Sequence, residues 1–185
     1  LNLTDTAFLA RVGEVELGAM AVAGVAYFVL VMTGIALGTG AQILMARRAG
    51  EGNSAEIGRL FDHTLVLLSA IAIGMFLILK FASPPLLDAI LKSDNVTNAC
   101  NDYLGIRSYG IIFTLIAIAF RSFYIGISIT RIITYSAFIM MIVNVILDYV
   151  LIFGHYGFPE MGIKGAALAS VIAELTGAAY LIIYS

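Results

Sequence analysis

Residues 17–46 read LGAMAVAGVAYFVLVMTGIALGTGAQILMA, thirty residues without one charged side chain. A helix rises about 1.5 Å per residue, so this run spans about 45 Å against a bilayer hydrocarbon core of about 30 Å. It crosses a membrane with tilt, or runs on into the interface. It stops where Arg47, Arg48, Gly50, Gly52 and Asn53 make a polar turn. A transmembrane barrel strand would instead show about ten residues of strict alternation, so long unbroken runs argue for helices.

Working outward, a second span covers residues 61–81 and is expected to end before Pro84 and Pro85. LLDAILKSDNVTNACND follows and reads as a polar, partly amphipathic connection. The third span covers 103–125, with Arg107 and Arg121 near its ends, and the fourth covers 132–153. GHYGFPEMG is a loop, and the fifth span runs over 163–185, incomplete at its end. Residues 1–10 read as the tail of another span, closed by RVGEVE. The expectation is an all-α integral membrane protein: one six-helix lobe over residues 1–185 with its first and last helices incomplete. LNLTDTAF lacks a basic region and a cleavage site, and AAYLIIYS ends inside an apolar run, so the chain is expected to be a fragment of a longer one.

Composition agrees. The 185 residues are 61% hydrophobic and 12% charged, with a mean hydropathy of +1.01. A soluble domain commonly carries about a quarter charged residues, and this chain lacks the charge to cover itself. The net charge of −2 offers no basic patch, which argues against a nucleic-acid partner and leaves the lipid bilayer as the expected surroundings. The single Cys100 allows no internal disulfide.

Small residues recur where helices are expected to touch. Gly165, Ala169, Ala173 and Gly177 return every four residues and form one smooth stripe, which lets helix backbones approach closely in lipid. Gly34 and Gly38 form a single pair of the same kind.

The acids can be placed by depth. Loops alternate between the two membrane faces, so RVGEVE, PPLLDAILKSDN and GHYGFPE share one face. Asp5 lies six residues before Arg11, and Asp148 six residues before Gly154, each about 9 Å below that face. Ser170 lies six residues beyond Lys164, entering from the same face. Asn144 is one turn from Asp148, and Glu174 one turn from Ser170. Five polar groups from three helices are therefore expected to meet. A carboxylate inside a membrane helix costs about 2.5–3.5 kcal/mol on insertion scales, and such groups commonly mark ion or proton paths. Two acids at one level titrate as a coupled pair, and carboxylate, amide and hydroxyl oxygens suit a hard cation such as Na⁺. A structural role in joining helices is the plainer alternative. Gln42 reads as a cavity polar residue or as a simple helix-end hydrogen bonder, while Glu14, Glu16, Asp88, Asp94, Asp102 and Glu160 read as solvated.

No catalytic residue is expected. The two histidines, His63 and His155, fall on opposite faces by loop parity, and no nucleophile and base share one depth.

Four stretches carry a resemblance: TDTAFLARVGEVELGAMAVA, GIALGTGAQILMARRAGEGN, AFRSFYIGISITR and NVILDYVLIFGHYGFPEMGIKGAALAS. Together they resemble the MATE (multidrug and toxic compound extrusion) transporters. The most specific piece is the Asn-x-x-x-Asp of Asn144 and Asp148 followed by GIKGAALAS. The resemblance implies one lobe of a twelve-helix transporter in the cell inner (plasma) membrane, needing a second six-helix lobe of the same chain. It implies antiport of amphipathic or cationic small molecules against H⁺ or Na⁺, with no other cofactor. It also implies a cation site at Asp5, Asn144 and Asp148, with a helix-six hydroxyl matching Ser170. The Arg47–Arg48 turn then lies inside, as the positive-inside tendency expects. A lipid-linked oligosaccharide flippase of related architecture and a membrane assembly subunit without transport of its own stay open at this point.

Overall fold

The computed structural model describes residues 2–185, with side chains from Thr4 onward; position 1 of the expected first segment lies outside them. The described residues form seven α-helices in order: α1 (Asn2–Leu9), α2 (Glu14–Gly50), α3 (Ser54–Leu77), α4 (Ser83–Ile90), α5 (Asp94–Gly126), α6 (Thr130–Phe153) and α7 (Ile163–Ile183). No strand occurs among the described residues. α3 and α4 form one rod, so five rods are long and apolar enough to cross a membrane, and α1 makes the sixth segment of the bundle. The chain is a multi-pass membrane protein.

α2 is longer than its apolar middle. It carries Glu14 and Glu16 in its first turn and Arg47 and Arg48 in its last, which complements the helix dipole at both ends. Gly52, with φ at +72°, turns the chain, and Asn53 Oδ1 accepts from the Glu56 amide at 3.2 Å to start α3.

The second rod departs from expectation at the prolines. The helix passes through Pro84 and Pro85 and ends at Ile90, not at residue 81. The reason is a π-turn over Ile78–Ala82. A proline ring collides with the carbonyl four residues back, and for Pro84 and Pro85 those carbonyls belong to Lys80 and Phe81, inside the widened turn. The Ser83 amide reaches back five residues to the Ile78 carbonyl, and the Ser83 hydroxyl donates to the Leu79 carbonyl at 2.6 Å.

α5 also departs. It begins at Asp94, not at residue 103, because the polar stretch is the first two turns of an amphipathic helix. Thr97, Cys100, Leu104 and Ile111 are buried at helical spacing, while Asp94, Asn95, Asn98 and Asp102 are exposed. α5 is the central helix, packed against α2, α3 and α7, and α7 packs in turn on α6.

The small-residue positions are contacts. A Cβ on Gly165 would meet the Leu151 backbone carbonyl carbon and oxygen at 2.7 Å, so α6 and α7 touch backbone to backbone. Gly34 faces Leu115, and Gly38 faces Ile118 and Ser122, which seats α2 on α5. Outside, Val25, Phe28, Val66, Phe81 and Ile146 are exposed, as lipid-facing residues are.

Candidate cation site

α6 is polar inside and apolar outside. Its buried residues are Ser136, Asn144, Asp148, Leu151 and Ile152, while Tyr135, Phe138, Met141, Ile142, Ile146 and Tyr149 are exposed. A helix with this inverted pattern directs its polar groups into the bundle and its apolar ones to lipid. Asn144 and Asp148 lie one turn apart on that inner face, and both are 0% exposed.

Two other helices close on them. α1 docks on α6 through Phe8 and Phe153, whose ring centroids lie 6.0 Å apart, and so presents Asp5, also 0% exposed. The Asp5 and Asp148 carboxyls come within hydrogen-bonding reach of each other. From α7, the Ser170 hydroxyl donates to Asp5 Oδ2 at 2.6 Å. The structure therefore brings Asp5, Asn144, Asp148 and Ser170 to one place.

Their polar atoms are far from satisfied. Among the described residues, Asp5 Oδ1, both oxygens of Asp148 and both amide atoms of Asn144 are buried without a hydrogen-bond partner. Buried polar groups are normally paired, because an unpaired one costs about 1–3 kcal/mol. Two carboxylates in contact cannot satisfy each other, since both only accept; a shared proton or a small cation between them removes the conflict. The donor set is all oxygen apart from the amide nitrogen of Asn144, which fits a hard monovalent cation.

Glu174 stands one turn further along α7 and takes a different partner. Arg107 Nη2 donates to Glu174 Oε1 at 2.9 Å, with the two side chains 2% and 7% exposed. The guanidinium also sits over the Tyr27 ring, 4.0 Å from its centroid, and the Tyr27 and Thr114 hydroxyls lie 3.3 Å apart. Gly110 makes the room: a Cβ there would lie 2.5 Å from Glu174 Oε2 and 3.3 Å from Arg107 Nη1. Tyr103, one turn before Arg107, is 1% exposed and is near enough for the charges of Arg107, Asp5, Glu174 and Asp148 to act on it.

Arg107 is a correction to the sequence reading, which set it near a helix end. Because α5 starts at Asp94, Arg107 lies thirteen residues in, about 20 Å along the axis, and Glu174 lies eleven residues into α7, about 16 Å. The depth argument that pairs Asp5 with Asp148 pairs these two as well, once the helix start is known. Gln42 is not part of either group; it is half-buried and lines a separate cavity with Thr39, Arg121 and Ser122 between α2 and α5.

A second cavity, of about 130 Å³, lies between α2, α5, α6 and α7. Its walls include Val31, Ile35, Ile118 and Met140, with Glu174 and Arg121 among its few polar groups.

Comparison with known proteins gives a consistent picture. The MatE family model matches residues 1–150. The chain is 31% identical over 184 residues to a probable multidrug resistance protein NorM from Rhizobium meliloti, and 28% identical over 185 residues to one from Thermotoga maritima. These alignments take in 100% and 97% of this chain but 39% of each relative, so the chain spans about two fifths of their length. Among solved structures, the outward-facing form of a multidrug resistance MATE family transporter of the MOP superfamily superposes with a TM-score of 0.92 at 16% identity. An inward-facing form superposes with a TM-score of 0.91 at 16% identity. Both cover 99% of this chain, and 40% and 41% of theirs.

Proposed function

The chain belongs to the MatE family, and on that premise we propose that it forms one lobe of a secondary active efflux transporter that exchanges H⁺ or Na⁺ for amphipathic or cationic small molecules. The observation that supports this reading is the facing pair Asp5 and Asp148, fully buried, with five polar atoms of Asp5, Asn144 and Asp148 lacking a hydrogen-bond partner among the described residues. A bundle that only needed a hydrogen bond between helices would satisfy those atoms within the protein.

In this reading Asp5 and Asp148 bind the ion between them. The Asn144 amide oxygen supplies a further ligand, and the Ser170 hydroxyl holds Asp5 in position. Binding draws α1, α6 and α7 together, because each contributes one of these groups. The ion shifts the protein between states only by its difference in affinity for them. The lobe's shape superposes on both the inward-facing and the outward-facing relative, which fits a lobe that moves as a body against a second lobe. The apolar cavity beside Glu174 accepts the apolar part of a substrate and tolerates variety, having few directional groups.

The test is Asp148→Asn in the full-length chain, reconstituted in vesicles, with ion-driven efflux of a cationic dye as the readout. Loss of efflux with the protein still folded is expected; unimpaired efflux refutes the assignment.

A further inference from the structure

Three buried carboxylates and one buried guanidinium share the bundle interior: Asp5 on α1, Asp148 on α6, Glu174 on α7 and Arg107 on α5. The only other titratable groups packed against them are the Tyr27 and Tyr103 hydroxyls, among the described residues. Among the described residues, Arg107 hydrogen-bonds only to Glu174. Its Nε and Nη1 have no acceptor, and neither Asp5 nor Asp148 has a lysine or arginine partner among the described residues.

The two groups are close. On α7, Ser170 touches Asp5 and Glu174 touches Arg107, and four residues of helix separate them by about 6 Å. Glu174 lies within Coulombic reach of Asp5. On α5, Tyr103 is buried one turn before Arg107, and the charges of both groups act on it. A guanidinium stays charged at any accessible pH, and its planar fork matches a carboxylate with two parallel bonds. A buried charge that loses its partner is strongly unfavourable, which favours re-pairing with another carboxylate of the bundle interior.

We propose that Glu174 is a positioning residue that holds Arg107 away from the Asp5–Asp148 pair, and that Arg107, once released, occupies that pair as a tethered cation in place of the coupling ion. The inference rests on the reading of Asp5 and Asp148 as the ion site. Its physical content is a competition within the chain. While Glu174 carries the guanidinium, the acid pair has no lysine or arginine of its own among the described residues and takes a cation from solution. Without Glu174, the same arginine satisfies the orphan oxygens of Asp5 and Asp148 and closes the site.

The test uses the purified full-length chain, titrated with Na⁺ and, separately, with protons, while the carboxyl infrared bands are followed. Four proteins are compared: wild type, Asp148→Asn, Glu174→Gln and the double variant Arg107→Met/Glu174→Gln. Glu174→Gln is expected to fold and to lose ion affinity by about tenfold or more, and the double variant to return to within about threefold of wild type. A purely structural role for the pair predicts no such rescue. Wild-type affinity in Glu174→Gln, failure of that variant to fold, or a double variant as impaired as the single one would each overturn the proposal. Asp148→Asn separates the two levels. Ion uptake unchanged in Asp148→Asn removes the site itself, whereas uptake lost there but retained in Glu174→Gln removes only the role given to Arg107.

Discussion

Ser170 donates a 2.6 Å hydrogen bond to Asp5 and so ties the last helix of the bundle to the first, across 165 residues of chain. The bond is fully buried, and its acceptor is a carboxylate with no other donor among the described residues. Hydrogen bonds to charged groups contribute about 1.5–3 kcal/mol, more than neutral ones. Ser170→Ala is therefore expected to destabilise the lobe by about 1.5–3 kcal/mol. It should also weaken ion binding, because Asp5 loses the group that fixes its direction. Ser170→Thr keeps the hydroxyl and should keep most of both. Thermal unfolding in detergent and Na⁺ or proton titration of the three proteins check this; equal melting of Ser170→Ala and wild type would count against the bond.

Gly110 lies where α5 meets the Arg107–Glu174 pair. In Gly110→Ala the new Cβ would fall 2.5 Å from Glu174 Oε2 and 3.1 Å from Val171 Cγ2. The Glu174 side chain is held at its far end by Arg107 and cannot simply rotate away. Overpacking of this kind costs about 1–3 kcal/mol. Gly105, on the same helix, has nothing within 4 Å of its would-be Cβ. Gly105→Ala should be neutral or stabilising by up to about 1 kcal/mol, since alanine is the better helix former. Melting temperatures of the two variants should therefore move in opposite directions, or Gly105→Ala should not move at all.

How much of this was legible in the sequence depends on which signal each residue left. The 17–46 run fixed a spanning helix because nothing else fits thirty uncharged residues. Asp5, Asn144, Asp148 and Ser170 could be placed together because loop parity and helical rise give depth without any knowledge of packing. The same tool missed Arg107 because the helix start was misplaced. Residues 94–102 look like a loop when judged by polarity, yet their buried face, Thr97 and Cys100, has helical spacing. Proline at 84 and 85 read as a stop, and the π-turn that removes the steric conflict leaves no compositional mark. Nor does sequence separate Glu174, paired with Arg107, from Ser170, paired with Asp5; only side-chain direction decides that.

The exposed turn after α2 makes a pH prediction. Glu51 bonds to Arg48 at 2.7 Å and Arg47 at 3.1 Å, and the Arg48 bond above all holds its carboxyl below the usual carboxylate range. A depressed folded-state value means the pairing contributes fully above the unfolded value and is lost as pH falls through the folded one. The melting difference between wild type and Glu51→Gln should therefore be present near neutral pH, shrink in acid and shrink in high salt, because the turn is solvent-exposed. A difference that persists through acid would assign it to packing instead.

Gly165 and Gly177 lie at two ends of one stripe on α7, and they should differ in tolerance. A Cβ on Gly165 would meet the Leu151 carbonyl carbon and oxygen at 2.7 Å and the Ile152 amide nitrogen at 2.9 Å. Those are backbone atoms inside α6 and cannot yield without parting the helices. A Cβ on Gly177 would overlap the Met140 thioether, and methionine has three rotatable bonds with which to move aside. Gly165→Ala is thus expected to cost about 3 kcal/mol, the upper part of the range for overpacked sites, and Gly177→Ala about 1 kcal/mol. The larger effect should extend to ion binding. Leu151 is one turn from Asp148 on α6, and Gly165 is one turn and a residue from Ser170 on α7, so separating the helices there opens the acid pair. Thermal melts paired with Na⁺ and proton titrations would show whether Gly165→Ala weakens both; a stable Gly165→Ala protein with unchanged ion affinity would contradict the backbone contact.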